Sequence, residues 1–402
     1  MRPTIAVAEV LERARGVTQP LMRDTIARLN PSLRDVVSYH LGWTDASGNQ
    51  APAKGGKGIR SALATLSAEA TWADAEVGAP GGVAVELVHN FSLLHDDLMD
   101  GDVERRHRPT VWALWGPSVA LIAGDALSTL AIDVLLRTPN PTAPAAAAAL
   151  VQATSEMIAG QADDLAFEAR RSVSVEECMA MSTAKTGALL GCAASIGAIL
   201  AGAPPTTVQA LRDFGRHLGV AFQAVDDLLG IWGDPARTGK PIGNDIRQRK
   251  KSMPLVAALA AGDDEARELE SILFDALPAP AAPAAASTNG HVGAVGAVGA
   301  AASAARRSQG SEKSHRSKKD GPVASTALAI PEWAPTLPSP LTHDEVARAT
   351  WLVETCGGRE WTAARAKAHL DAALGSLERA RLSAVPRRAL ADLAVYVVER
   401  ES

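Results

Sequence analysis

Aromatic side chains are scarce in this 402-residue chain: eight Trp, two Tyr and five Phe make up 4% of it. Strands draw on aromatic and β-branched residues, and no useful stretch alternates apolar with polar positions. Abundant alanine and leucine point instead to helices. Cysteine is nearly absent as well. Cys178, Cys192 and Cys356 are odd in number and form no CxxC pair, which suits a reduced, cytoplasmic chain rather than a disulfide framework. Positive charge has no excess. Forty Lys and Arg against 45 Asp and Glu give a net charge of −5, so nucleic acid is not an expected partner. No uncharged apolar run reaches the roughly 18 residues that a membrane span needs. The opening stretch MRPTIAVAEVLERARG carries Glu9, Glu12, Arg13 and Arg15 within its apolar pattern, an amphipathic helix rather than a signal peptide. There is no GxxxxGK[ST] loop, which argues against a nucleotide triphosphatase.

What is present is helical periodicity. Apolar residues recur at three- and four-residue spacing near 5–28, 57–73, 79–101, 113–137, 142–170, 174–202 and 204–232. GAPGG (78–82), RTPNPTAP (137–144) and AGAPP (201–205) read as the turns between them. From 278 to 340 the chain changes to Ala, Pro, Gly and Ser, with few large apolar side chains to offset the entropy of ordering. That stretch is expected to be a disordered insertion. Periodicity returns at LTHDEVARATWLVETCGG and runs to the end. The expected organisation is one large all-α domain in two parts, 1–277 and 341–402, around the insertion at 278–340.

Two acidic pairs then stand out. VELVHNFSLLHDDLMDGD places Asp96, Asp97 and Asp100 on an apolar helix, with His89 on the same face. FGRHLGVAFQAVDDLLGIWGD does the same with Gln223, Asp226 and Asp227. Like charges one turn apart repel, so both pairs call for cations. Oxygen ligands without a thiolate favour Mg²⁺, which binds through carboxylates, water and phosphate oxygens. The basic residues fit phosphate: Lys57 and Arg60 at a helix start, Arg105 and Arg106, Lys185 beside Thr186, Lys240, and Lys250 with Lys251. They exceed the needs of one phosphate. Two diphosphates, one held through metal and one by basic side chains, account for the set.

These motifs resemble the polyprenyl synthetase family of trans-isoprenyl diphosphate synthases. DDLMDGDVERRHRPT is similar to its first aspartate-rich motif and FQAVDDLLGIWGDPARTGKPIGNDIRQRKKSMP to its second. GGKGIR, GDAL, GQADDL and AKTGALL follow its lesser signatures in order, over about residues 50 to 260. The resemblance implies a helical bundle of the isoprenoid synthase type with a central cavity, forming a homodimer. It implies Mg²⁺, three ions per active site with substrate bound, on Asp96, Asp97, Asp100, Asp226 and Asp227. Arg105, Lys185, Gln223 and Lys240 would face an allylic diphosphate (dimethylallyl, geranyl or farnesyl), and Lys57, Arg60, His89 and Arg106 would hold isopentenyl diphosphate, with Lys250 a further substrate contact. Thr186 and Gln223 would offer dipoles to the carbocation. Phe91 and Ser92 would set chain length between C10 and C20, centred on C15 to C20.

The sequence departs from the pattern at Gly58 in place of a basic residue, at His107 in place of glycine, and at Gly230 in place of the third aspartate of the second motif. Restoring an aspartate at 230 is expected to be neutral or mildly activating. Two other readings keep the architecture: a catalytically weak regulatory subunit, supported by Gly230 alone, and a terpene cyclase, in which Lys57, Arg60, His89 and Arg106 would be idle. Within 278–340, Arg306, Arg307, Lys313, Arg316, Lys318 and Lys319, with Trp333 in IPEWAPTLP, leave room for a protein partner. Replacing 278–340 by a short Gly/Ser linker should leave melting temperature and turnover unchanged; loss of folding would show that the segment packs.

Overall fold

The computed structural model describes residues 6–51, 56, 58–235, 241–275 and 340–399. Lys57, Lys240 and the expected insertion, apart from Pro340, lie outside them. The elements in chain order are α1 (Val7–Ala27), α2 (Pro31–His40), α3 (Ile59–Ala70), α4 (Ala75–Met99), β1 (Glu104–Arg105), β2 (Arg108–Pro109), α5 (Val111–Trp115), α6 (Pro117–Leu136), α7 (Ala143–Glu168) and α8 (Val175–Ser182). A π-helical turn, Thr183–Gly187, leads into α9 (Ala188–Leu200) and α10 (Pro205–Trp232). Then come α11 (Asn244–Arg247), α12 (Met253–Leu259), α13 (Asp264–Phe274), α14 (His343–Thr355), α15 (Gly358–Glu378) and α16 (Ala384–Glu399).

Local chemistry explains several boundaries. Reciprocal side-chain bonds in Ser174/Glu177 and Thr342/Glu345 start α8 and α14 as capping boxes. Asn30 accepts from Ser32 N–H and Pro31 opens α2, a helix that the periodicity reading does not contain. The expected turn at GAPGG is overturned: residues 78–82 are buried inside α4. Their glycines serve contact instead. A Cβ at Gly78 would collide with the Ala64 carbonyl of α3, and one at Gly81 with Ile196 of α9.

The helices α3, α4, α9 and α10 pack successively, with α6 against α4, α7 against α9 and α15 against α10. The main core is aliphatic, with Leu63, Leu87, Leu127, Leu150, Ile196 and Leu211 fully buried. Each such side chain contributes about 2 kcal/mol. A satellite core of Ile231, Ile246, Leu255, Leu273, Phe274 and Leu352 binds the end of α10 to α11–α14. It holds the chain after the second acidic motif in place. Helices α13 and α14, which flank residues 276–339, pack on each other, and Arg348 forks onto Glu268 with two 2.7 Å bonds.

Two helical stretches, Pro117–Leu136 and Val175–Leu200, are long and apolar enough to cross a membrane by length and composition. The second has 72% of its apolar window buried within the protein, so its hydropathy reflects core packing.

Candidate active site

The first acidic motif ends α4. Asp97 is 2% exposed and accepts from Arg105 Nε at 2.5 Å. Burial raises its pKa to about 6 against the pull of Arg105. Asp96 is likewise raised to about 6, chiefly by burial, with Lys185 opposing and Asp100 adding repulsion. Asp100, the C-cap, is open at the rim, yet enough protein crowds its carboxyl to raise it too. Neither Asp96 nor Asp100 has a hydrogen-bond donor among the described residues.

The second motif divides in the same way. Asp227, 3% exposed, accepts from Gln223 Nε2 and from Met253 N–H, each at 2.8 Å. Burial pushes its pKa up to about 7, against Lys250. Asp226 faces the open side. In each motif one aspartate anchors the protein while its neighbour remains at the surface of the site. Geometry therefore favours Asp96, Asp100 and Asp226 as metal ligands over Asp97 and Asp227.

Lysines join the two patches. Lys185 Nζ donates to Asp164 Oδ2 at 2.5 Å and also acts on Asp96 and Asp100. It sits in the π-helical turn, a distortion common at functional sites. The turn can lie against α7 because Gly160 has no Cβ to strike the Lys185 backbone. Next to Lys185, Thr186 Oγ1 donates to Gln223 Oε1 at 2.7 Å, so Thr186, Gln223 and Asp227 form one chain of oriented dipoles. Burial disfavours the Lys250 charge, but Asp245, Asp227, Asp164 and Asp226 override it and raise its pKa.

Two carboxylates in this network, Asp164 and Asp245, received no role from the sequence. Asp164 lay within GQADDL, which gave a signal without a function. Asp245 gave none, and it explains Gly230. A Cβ at Gly230 would overlap the Asp245 carboxylate, which is buried. The geometry points against the expectation that aspartate is neutral or activating at 230, because α11 already supplies a carboxylate to that space.

A basic patch gathers around His89, two turns back from Asp96 on α4, with Arg60 from the start of α3 and Arg106 from the β1–β2 hairpin. Burial lowers the pKa of half-buried Arg60 against the pull of Glu86, and its Nε is buried without a hydrogen-bond partner. Burial, then Arg60, Arg106 and Arg105, holds His89 well below its ordinary pKa, so it is neutral at pH 7. Glu86 is the carboxylate acting on both Arg60 and Arg106. Arg106 and His107 are the two central residues of the β1–β2 hairpin, with φ of 54° and 60°. That is the conformation a two-residue hairpin needs and glycine adopts most easily, so histidine at 107 costs about 1 kcal/mol. Gly58, at φ 70°, occupies the left-handed N-cap of α3, where a basic side chain would be strained.

Between His89 and the acids on α4, the Phe91 and His95 rings meet nearly at right angles, with centroids 4.8 Å apart. Ser92 Oγ turns back to the His89 carbonyl at 2.9 Å. His95 lies on Gly124 of α6 and reaches the Leu121 carbonyl at 3.2 Å.

Among the described residues no three metal-binding side chains already converge as a cage. Asp96 and Asp100, crowded, mutually repelling and without donors, fit a divalent cation that brings water and phosphate oxygens as its other ligands.

The Polyprenyl synthetase family model matches residues 42–281. A (2E,6E)-farnesyl diphosphate synthase of Mycobacterium tuberculosis is 41% identical over 401 residues, covering 100% of this chain and 95% of that one. A geranylgeranyl diphosphate synthase from the same organism is 44% identical over 264 residues, 65% of this chain and 75% of its own. A solved polyprenyl synthetase of Streptomyces coelicolor A3(2) has a TM-score of 0.79 at 44% identity, covering 98% of this chain and 99% of that one.

Two outcomes follow from the geometry. Gly230→Asp should lower the melting temperature and cut activity at least about tenfold, through overpacking against Asp245 and like-charge repulsion; unchanged melting and turnover would refute the packing account. Asp227→Asn isolates one titration. A raised native pKa means the folded state binds more protons than the unfolded one between pH 4 and 7, so stability from Asp227 falls as pH rises through that window. The melting-temperature advantage of wild type over the variant should shrink from pH 5 to pH 8, and a growing advantage would reverse the sign assigned here.

Proposed function

This chain belongs to the polyprenyl synthetase family and joins isopentenyl diphosphate to an allylic diphosphate; we propose that Asp96, Asp100 and Asp226 hold the magnesium that grips the allylic diphosphate. The observation that carries this reading is that α4 brings the crowded, donor-free carboxylates of Asp96 and Asp100 into line with neutral His89, around which Arg60 of α3 and Arg105 and Arg106 of the hairpin gather positive charge. Bound Mg²⁺ would supply charge neutralisation to the departing diphosphate; three ions per substrate-bound site is the stoichiometry proposed, in keeping with three outward carboxylates.

Lys185 and Arg105 add positive charge to the same leaving group, with Lys240 assigned alongside them from the sequence. Arg60, His89 and Arg106, with Lys57, hold isopentenyl diphosphate directly. Neutral His89 serves as a hydrogen-bond donor there. Thr186 and Gln223, already oriented through Asp227, present fixed dipoles to the allylic cation. Lys250 is better described as the counter-charge that holds the second acidic patch together. With Asp245 filling the space beside Gly230, the argument for a catalytically weak subunit loses its support, and a cyclase would leave the basic patch around His89 without work.

A homodimer is proposed through α6 and α7, where Leu121, Ile122, Val151 and Ile158 are exposed. A cytoplasmic setting is proposed on the three free cysteines.

Asp96→Ala and Asp226→Ala should each reduce turnover of labelled isopentenyl diphosphate with an allylic primer by several orders of magnitude, about 4 kcal/mol or more of transition-state stabilisation, while melting temperature is kept; near-normal turnover in either variant would refute the ligand assignment. Product length is proposed as C15 to C20, in keeping with relatives named as farnesyl and geranylgeranyl diphosphate synthases and with the Phe91 ring just over one turn back from Asp96 on α4. Phe91→Ala should lengthen the products seen by chromatography, and an unchanged distribution would remove Phe91 as the floor.

A further inference from the structure

A cavity of about 330 Å³ opens between the end of α2, the loop beyond it and the β1–β2 hairpin. His40, Arg105, Arg106 and Thr110 are among the residues that line it. Two polar atoms of that lining are buried without a hydrogen-bond partner: His40 Nε2 and Thr110 Oγ1. Thr110 is the N-cap residue of α5, yet its hydroxyl makes no capping bond. Buried polar groups are normally satisfied, so two orphans in one cavity need an explanation.

The surroundings point to an anion. Burial, then Arg106 and Arg105, brings the His40 pKa down to about 3, with the Asn90 side chain pulling the other way. His40 in turn contributes to the depression of His89. It thus belongs electrostatically with the groups assigned to isopentenyl diphosphate. Arg105 is already committed to Asp97, and Arg108 to the Tyr39 and Thr44 carbonyls. Arg106 is the guanidinium of the hairpin left to meet an incoming charge. A neutral imidazole with its proton on Nε2 is a donor, and so is a threonine hydroxyl.

We propose that His40 and Thr110 are two further ligands of the isopentenyl diphosphate headgroup, donating to phosphate oxygens that Arg106 neutralises. The proposal rests on the family reaction argued above and extends it to α2 and the start of α5.

Calorimetric titration of isopentenyl diphosphate, without metal or allylic substrate, into wild type, His40→Ala and Thr110→Val tests it. His40→Ala should weaken binding about tenfold and Thr110→Val several-fold, as expected for lost bonds to a charged group. Affinity for geranyl diphosphate with Mg²⁺ should stay within about twofold, and KM for isopentenyl diphosphate should rise with kcat little changed. His40→Gln, which keeps a donor, should restore part of the loss and serves if the alanine variant unfolds. Isopentenyl affinity within about twofold of wild type in the variants would overturn the proposal, leaving water as the partner of both atoms. Equal losses for both substrates would also overturn it, as a structural effect. A wild type that binds no isopentenyl diphosphate would instead overturn the family reading.

Discussion

Like charge buried in a low-dielectric bundle is the constraint on which the rest depends. A carboxylate taken out of water must be paired, neutralised or left at a surface where a ligand can reach it. Here the two motifs meet that demand in the same way. Asp97 is fixed by Arg105 and Asp227 by Gln223 and the Met253 amide. Those anchors hold the helices so that Asp96, Asp100 and Asp226 stay at the surface of the site, where the proposed cation and diphosphate would reach them.

The lysines make the arrangement self-consistent before substrate arrives. Lys185 is shared by Asp164, Asp96 and Asp100, and Lys250 by Asp245, Asp227, Asp164 and Asp226. Both sit on backbone that needed special accommodation. Lys185 rides a π-helical turn pressed against Gly160, and Lys250 follows Arg249, which has a φ of 53°. The basic patch around His89 shows the same trade at Arg106 and His107, where the hairpin holds a guanidinium over the site in a conformation that L-residues seldom take. Local conformational cost is accepted where it aims a charge.

Much of this was legible beforehand because it is local. Helix type and extent follow from apolar spacing, and the aspartate pairs and the arginine pair announce themselves by charge inside apolar runs. GAPGG misled for a physical reason: the same residues that favour turns also allow helices to approach within backbone contact, and only the neighbours decide between the two. Helix α2 escaped because its ten residues begin with Asn30 and Pro31, a start signal with too short an apolar pattern behind it.

The sequence by itself determined the all-helical class and the diphosphate-condensing family, and it named most of the groups proposed for the site, since residue type and near-neighbour spacing carry that information. Tertiary structure alone decided which aspartate of each pair is anchor and which is open, because adjacent residues on a helix point about 100° apart and their burial depends on what packs there. It also decided that glycine at 230 makes room for Asp245, fifteen positions on, and that His40 and Thr110, seventy apart, share one cavity. Contacts across the chain are set by the packing of whole helices, and no local pattern encodes them.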